Sequence, residues 1–158
     1  MVKLIRNIIL CTAVFGFTVL QGQWYVEGES WNSDNGSANP VGYQEFLNNN
    51  SVTYEITHSA DGSTVGDEGD VLGAFYDGEL RGVAEPFAVT FGPNEGKNFF
   101  LIMMFSDSSG QEEMNFKFYD ASDDEVTDLP ETYLFIADDP QGDLFDPESL
   151  TYTPAGGC

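Results

Sequence analysis

The sequence predicts an all-β fold: an antiparallel β-sandwich, jelly-roll or Ig-like, with about eight strands and an N-terminal extended arm. Three observations predict it. Apolar and polar residues alternate over short segments, turn-forming residues recur at short intervals, and no segment has the 3.6-residue period of a helix. The strongest single signal is Asp77-Gly78 between two apolar runs, because both residues tolerate the positive φ angles of a tight hairpin turn.

The N-terminal residues predict secretion. Residues 1–22 have the order of a signal peptide, with Lys3 and Arg6 first, then the apolar run Ile8–Leu20, then Gly22 as the cleavage point. The apolar run is short for a membrane span, so we expect a secreted, extracellular or cell-surface protein with no membrane span after cleavage. Retention of residues 1–22 as an anchor helix stays open as the alternative.

Two further segments follow the signal peptide. Residues 23–50 form the predicted arm, and residues 51–158 form the predicted sandwich domain. The apolar segment Lys97–Phe105 is typical either of a strand buried on both faces or of a sandwich strand with a second contact outside. The predicted strands are Ser51–His58, Asp70–Tyr76, Glu79–Glu85, Lys97–Phe105, Glu113–Tyr119, Glu125–Leu129, Glu131–Ile136 and Ser149–Thr153.

Charge and cysteine content narrow the classes of partner. The chain carries a net charge of −22, and loss of Lys3 and Arg6 with the signal peptide leaves −24. Such a surface repels nucleic acid and anionic lipid, so neither is an expected partner. Cys158 is the one cysteine after residue 22, so no disulfide can form within the secreted chain.

Three sequence segments together resemble an uncharacterised module of secreted proteins from Bacteroidetes-type bacteria. Asp70–Ala84 is similar to the module's D-x-x-G-A-F-x-x-G-E-x-R-G-V-A hairpin, and Asn115–Ser122 contains its F-K-F-Y-D-A-S string. Lys97–Gly110 is similar to a third segment, so the resemblance covers about residues 45–153. It implies an exported β-sandwich of no characterised activity.

No catalytic set is evident in the sequence. His58 is the only histidine, and it stands at the end of a predicted strand with no catalytic or metal-binding partner suggested by the sequence. Arg81, one of three basic residues after the signal peptide, is expected to make a bidentate structural ion pair across the hairpin. We therefore expect a protein that is not an enzyme.

Calcium is the one cofactor that the acidic residues favour. Ca²⁺ takes six to eight oxygen ligands, which closely spaced carboxylates and loop carbonyls supply, although neither candidate cluster has EF-hand spacing. Solvated acidic loops are the alternative. The candidate metal ligands are Asp67, Glu68 and Asp70 before the hairpin, and Asp138, Asp139, Asp143 and Asp146 in a late loop.

The arm carries the sharpest functional signal. Trp24, Tyr25, Val26 and Trp31 are large apolar residues in an otherwise polar, extended segment, and such side chains need a surface to cover them. They either pair with an edge strand of their own sandwich or add as a strand to the next subunit, which propagates as a filament. We expect a structural subunit that forms a homo-oligomer or filament.

A calcium-dependent carbohydrate-binding module or adhesin is the alternative function, with the arm's aromatic rings as a platform on which glycans stack. Asn35 and Asn49 also begin sequons on predicted loops, which makes them candidate glycosylation sites.

Overall fold

The computed structural model describes residues 46–154, and in them the predicted all-β sandwich is confirmed. The first described strands are β1 (Asn48–His58), β2 (Thr64–Val65), β3 (Val71–Tyr76), β4 (Glu79–Ala84) and β5 (Pro86–Ala88). They are followed by β6 (Asn98–Ser106), β7 (Gly110–Asp120), β8 (Glu125–Ile136) and β9 (Glu148–Tyr152).

The strands form two sheets. The first contains β2, β1, β6 and β5 in that order, and β9 also pairs with β1. The second has the order β4-β3-β7-β8. All pairs are antiparallel except β1 and β9, which are parallel.

The hairpin predicted at Asp77-Gly78 is confirmed. Asp77 has φ 50° and Gly78 has φ 79°, so both residues lie in the left-handed region that a tight two-residue turn requires. β3 and β4 pair on either side of them, with Tyr76 opposite Glu79.

The core between the sheets is built largely of aromatic side chains. Tyr54 and Phe116 meet edge to face with ring centroids 5.2 Å apart, and Phe118 contacts Phe100 at 6.1 Å and Tyr152 at 4.9 Å. This geometry places the positive edge of one ring against the negative face of another. The other fully buried core side chains include Ile56, Leu72, Ile102, Met104, Met114, Phe135 and Leu150.

One chain segment passes from the second sheet to the first and closes one side of the sandwich. β4 pairs with β3, and after Glu85 the chain continues as β5, which pairs with β6. β4 itself lies so close to β6 that a Cβ on Gly82 would stand 2.2 Å from the carbonyl oxygen of Met103. Strands that switch sheets in this way make the corners of a sandwich.

Several predicted strand boundaries were wrong. Glu125–Leu129 and Glu131–Ile136 are one continuous strand, β8. One β7 residue, Phe116, lies opposite the three β8 residues Leu129–Glu131, and this irregularity accommodates Pro130 without ending the strand.

Other differences concern short or extended elements. β2 lies in a segment that was predicted to be a loop, and β5 was not predicted. β1 begins at Asn48, inside the predicted arm, so Asn48–Asn50 belong to the first sheet. The rest of the arm, including Trp24, Tyr25, Val26, Trp31 and Asn35, lies outside the described residues.

β6 combines both interpretations of the segment Lys97–Phe105. Phe100, Ile102 and Met104 point into the core and are fully buried. Leu101 and Met103 point to the outer side of the first sheet and are exposed, Leu101 by 56%. We call these two residues the β6 outer row.

Candidate functional site

The second half of β8 is the candidate interaction site. β8 is the last strand of its sheet, and within residues 46–154 no strand pairs with its second side. We call this side of Glu131–Ile136 the β8 edge. Backbone N–H and C=O groups on such a side are a template for the addition of another strand.

The register with β7 decides which side chains of Glu131–Ile136 point into the core and which point outward. Tyr133 lies opposite the buried Met114 and points inward, whereas Leu134 lies opposite Glu113 and points outward. Because side chains alternate along a strand, Thr132 and Ile136 share the outer side with Leu134. Leu134 is 55% exposed and Ile136 45% exposed.

Hydrogen bonds hold the β8 edge in position. The Thr132 hydroxyl donates to Glu113 Oε1 at 2.6 Å, and the amide of Thr151 in β9 donates to Glu131 Oε2 at 3.1 Å. Asn50 Nδ2 donates to the hydroxyl of Tyr133 at 2.6 Å. The segment is therefore fixed against three neighbouring strands before any partner binds.

The two halves of β8 differ in charge. The first half contains Glu125 and Asp128, and Asp128 forms an ion pair with Lys117 of β7. In the second half Glu131 is the only charged residue. Charges on an edge strand hinder the addition of other chains, so the second half is the more accessible to a partner strand.

A second exposed apolar surface lies on the first sheet. It is the β6 outer row. Separately, the loops before β6 and before β9 expose Phe91 and Phe145, whose rings meet at 6.2 Å. Asn94 Nδ2 donates to the carbonyl of Leu144 at 2.9 Å and fixes the two loops together. Beside the β6 outer row, β1 pairs with one side of β6 and Gly82 of β4 packs closely against the other, so this surface offers side chains more than main-chain groups.

The first predicted metal cluster is divided between two pockets. Asp67 and Asp70 line a pocket of about 260 Å³, which we call the rim pocket, while Glu68 lines a neighbouring pocket of about 290 Å³. Asp120, the last residue of β7, and Asp123 in the turn that follows also line the rim pocket. The remaining residues of the rim pocket are His58, Thr64, Val65, Gly66, Tyr152 and Pro154.

The carboxylates of the rim pocket already serve the fold. Asp70 is 4% exposed, and its two oxygens accept the amides of Asp67 at 2.7 Å and Ala121 at 2.9 Å. Burial raises the pKa of Asp70 despite these bonds. It thus joins the loop before β3 to the turn after β7.

Asp120 is held differently. Burial alone would raise its pKa, but hydrogen bonds from the Ser122 hydroxyl and from the Asp123 amide outweigh burial and lower it. Its Oδ2 accepts the hydroxyl of Tyr152 at 3.2 Å. Burial, together with the charge of Asp120, raises the pKa of Tyr152 to about 12.

The second predicted cluster forms a local turn. Asp143 Oδ1 accepts the amides of Phe145 at 2.7 Å and Asp146 at 2.9 Å. Both hydrogen bonds lower the pKa of Asp143, and the bond from Asp146 has the larger effect. Asp138, with φ 58°, donates its amide to the carbonyl of Asn49. Asp139 follows it in the same turn. In the part of the chain that the structure describes, no three His, Cys, Asp or Glu side chains are arranged to hold a metal ion.

Arg81 is a structural residue with more partners than the sequence indicated. Its guanidinium contacts Glu79 and Glu112, each at 3.2 Å, and donates to the carbonyl of Phe105. The ring of Phe46, the first described residue, lies 4.5 Å from it. Two single contacts replace the predicted bidentate pair, because Arg81 lies at an irregularity of the β3–β4 ladder and reaches towards β6 and β7.

The remaining predictions concern a sequon and a histidine. Asn49 lies in β1, so the expectation that its sequon is in a loop was wrong. His58 ends β1, as predicted, and its ring meets that of Tyr152 at 5.9 Å. Nδ1 of His58 accepts the amide of Ala60, which is a local turn contact. No described helix is long and apolar enough to cross a membrane.

Comparison with family models, with curated proteins and with solved structures gave no match. The resemblance to the secreted module therefore stays a prediction.

Proposed function

We propose that this protein is a secreted, non-enzymatic structural subunit that self-associates outside the cell, as a filament held together by the N-terminal arm. The observation that carries the proposal is the β8 edge, which has no partner strand within residues 46–154. Its exposed apolar residues are Leu134 and Ile136. Apolar groups exposed together mark interaction surfaces.

Pairing between two different parts of the chain supports an open assembly. The arm and the β8 edge are such parts, so a copy whose β8 edge is covered still presents its own arm. Contacts between unlike surfaces do not close on themselves unless a rotation completes a ring, and they then extend as a filament.

Charge sets the condition under which copies associate. A net charge of −24 after loss of the signal peptide gives strong mutual repulsion at low ionic strength. Salt screens exposed charges over about 8 Å at physiological strength, whereas it does not weaken apolar contacts. Association therefore strengthens as the salt concentration rises.

The proposal is tested with protein that lacks residues 1–22, compared with protein that also lacks residues 23–31. Sedimentation velocity and electron microscopy across a range of concentrations should show filaments for the first and monomers for the second. If the protein that lacks only residues 1–22 stays monomeric at high concentration and high salt, the proposed function is contradicted.

The alternative, a calcium-dependent carbohydrate-binding module or adhesin, is supported by the acidic lining of the rim pocket, which includes Asp67, Asp70, Asp120 and Asp123. It predicts that micromolar to millimolar Ca²⁺ raises the melting temperature, as a ligand of the folded state must. Asp123→Asn should abolish the increase, and the monomer should bind glycans only with Ca²⁺. Self-association that is unchanged by a chelator argues for the structural subunit instead.

A further inference from the structure

We propose that the β8 edge is the acceptor for the arm, and that the occupant is Trp24–Val26 of a neighbouring copy. This inference rests on the proposed function and names the surface through which it operates. In it, the incoming segment adds a fifth strand to the second sheet beside β8. Main-chain hydrogen bonds give affinity, and alternate side chains give register.

The side-chain spacing of the two segments matches. Leu134 and Ile136 are two residues apart on the outer side of β8, and both are about half exposed. Trp24 and Val26 are also two residues apart, so in an extended strand they lie on one side. Aromatic and β-branched side chains opposite each other on neighbouring strands stabilise a sheet.

The two segments that meet in this contact carry little charge. Gln23–Val26 carries no charge, and Glu131 is the one charged residue in the β8 edge. The carboxylate of Glu131 already accepts the amide of Thr151. Two strongly acidic copies therefore meet here with little local repulsion.

The contact between two copies has a direction. The ring of Phe46, where the described chain begins, packs on Arg81 of β4, and β4 and β8 are the opposite outer strands of the second sheet. A few residues later the chain also meets β8, because Asn50 Nδ2 donates to the hydroxyl of Tyr133. The arm and its acceptor are different parts of the chain, so repetition of the contact between copies gives a head-to-tail row.

The length of the arm permits the contact. Nineteen residues separate Val26 from Phe46, and an extended chain of that length spans roughly 60 Å. The distance across the four strands of the second sheet is only about 15 Å, from a strand spacing of about 4.8 Å. The arm is therefore long enough to reach the β8 edge of a neighbouring copy as well as its own, and tryptophan emission in the monomer distinguishes the two.

The test compares two matched pairs of substitutions in protein that lacks residues 1–22. Leu134→Lys with Ile136→Lys places charges on the β8 edge, and Leu101→Lys with Met103→Lys places them on the β6 outer row, at closely similar exposure. The first pair should raise the concentration needed for half-maximal assembly at least tenfold, and the second less than twofold.

Tryptophan fluorescence gives a second readout, because both tryptophans of the chain lie in the arm. Emission should shift to shorter wavelength as the unsubstituted protein assembles. The shift should vanish in the β8 pair and persist in the β6 pair. Circular dichroism and cooperative thermal unfolding of both variants show that each is folded.

The outcomes separate this inference from the proposed function. Loss of assembly in the β6 pair alone overturns the β8 acceptor and leaves self-association standing. An unsubstituted protein that is monomeric, but whose tryptophan emission responds to Leu134→Lys, overturns the intermolecular contact in favour of a chain that covers its own edge. A monomer without that response overturns both proposals.

Discussion

β6 and β8 have the same side-chain pattern in different surroundings. Each strand directs buried residues into the core and displays two exposed apolar residues outside, Leu101 and Met103 in β6 and Leu134 and Ile136 in β8. β6 lies inside its sheet, whereas β8 is the last strand of its own. The comparison shows that the main chain, more than the exposed side chains, distinguishes the two outer surfaces.

The inward sides of the two strands should be equally important for stability. Phe135→Ala should lower the free energy of unfolding by about 3–5 kcal/mol and Ile102→Ala by about 2–5 kcal/mol, because both side chains are fully buried. The exposed controls Leu134→Ala and Leu101→Ala should change it by less than about 0.5 kcal/mol.

Denaturant unfolding at concentrations below assembly measures these four values. A large loss for Leu134→Ala in the monomer would mean that the outer side of β8 is already covered within its own chain. The comparison between the strands would then fail.

The side of β6 that faces β4 should have no room for an added atom. In Gly82→Ala the new Cβ would stand 2.2 Å from the carbonyl oxygen of Met103, so β4 and β6 must move apart. A cost of about 1–3 kcal/mol is expected from overpacking. Gly110→Ala in β7 is the control, because its Cβ would meet the carbonyl oxygen of Phe135 at an ordinary 3.6 Å.

Thermal unfolding of the two variants compares the closed side of β6 with the ladder beside β8. If Gly82→Ala is as stable as Gly110→Ala, β4 does not pack tightly against β6. The main-chain groups on that side of β6 would then be as accessible to a partner strand as those of β8.

Alkaline pH should destabilise the protein through two tyrosines, Tyr54 beside β6 and Tyr133 in β8, to different extents. Burial raises the pKa of Tyr54, which pairs with Phe100 of β6, and burial also raises that of Tyr133 in β8. Each tyrosine holds its proton more tightly when folded. Its contribution to stability is therefore complete below the unfolded pKa of about 10 and is lost as pH rises through the folded value.

The shift is the larger for Tyr54, which is almost fully buried. Tyr54→Phe should therefore remove more of the alkaline destabilisation than Tyr133→Phe. Unfolding free energies measured from pH 8 to pH 12 test the order, and an equal effect of the two substitutions would contradict it.

The sequence predicted those features that depend on local chemistry. The hairpin followed from the turn preferences of Asp77 and Gly78, and most strands followed from alternation. Pro130 indicated a break in β8, but the irregular pairing opposite Phe116 absorbs it. β2 and β5 are too short for a periodic signal.

The candidate site depends on long-range order and could not be read from neighbouring residues. Glu131–Ile136 was predicted as a strand, but its place at the end of a sheet follows from the order β4-β3-β7-β8. Asp70 was predicted as a metal ligand. Its role in joining two distant turns depends on Ala121, which is far along the chain.

The central claim is that a strand from a neighbouring copy adds to β8. Amide hydrogen exchange, resolved by residue, compares the monomer with the assembled protein. We expect amides of Glu131–Ile136 to exchange at least tenfold more slowly in the assembly, while those of the β6 outer row stay unchanged. Equal exchange rates at the β8 edge in the two states would contradict the account.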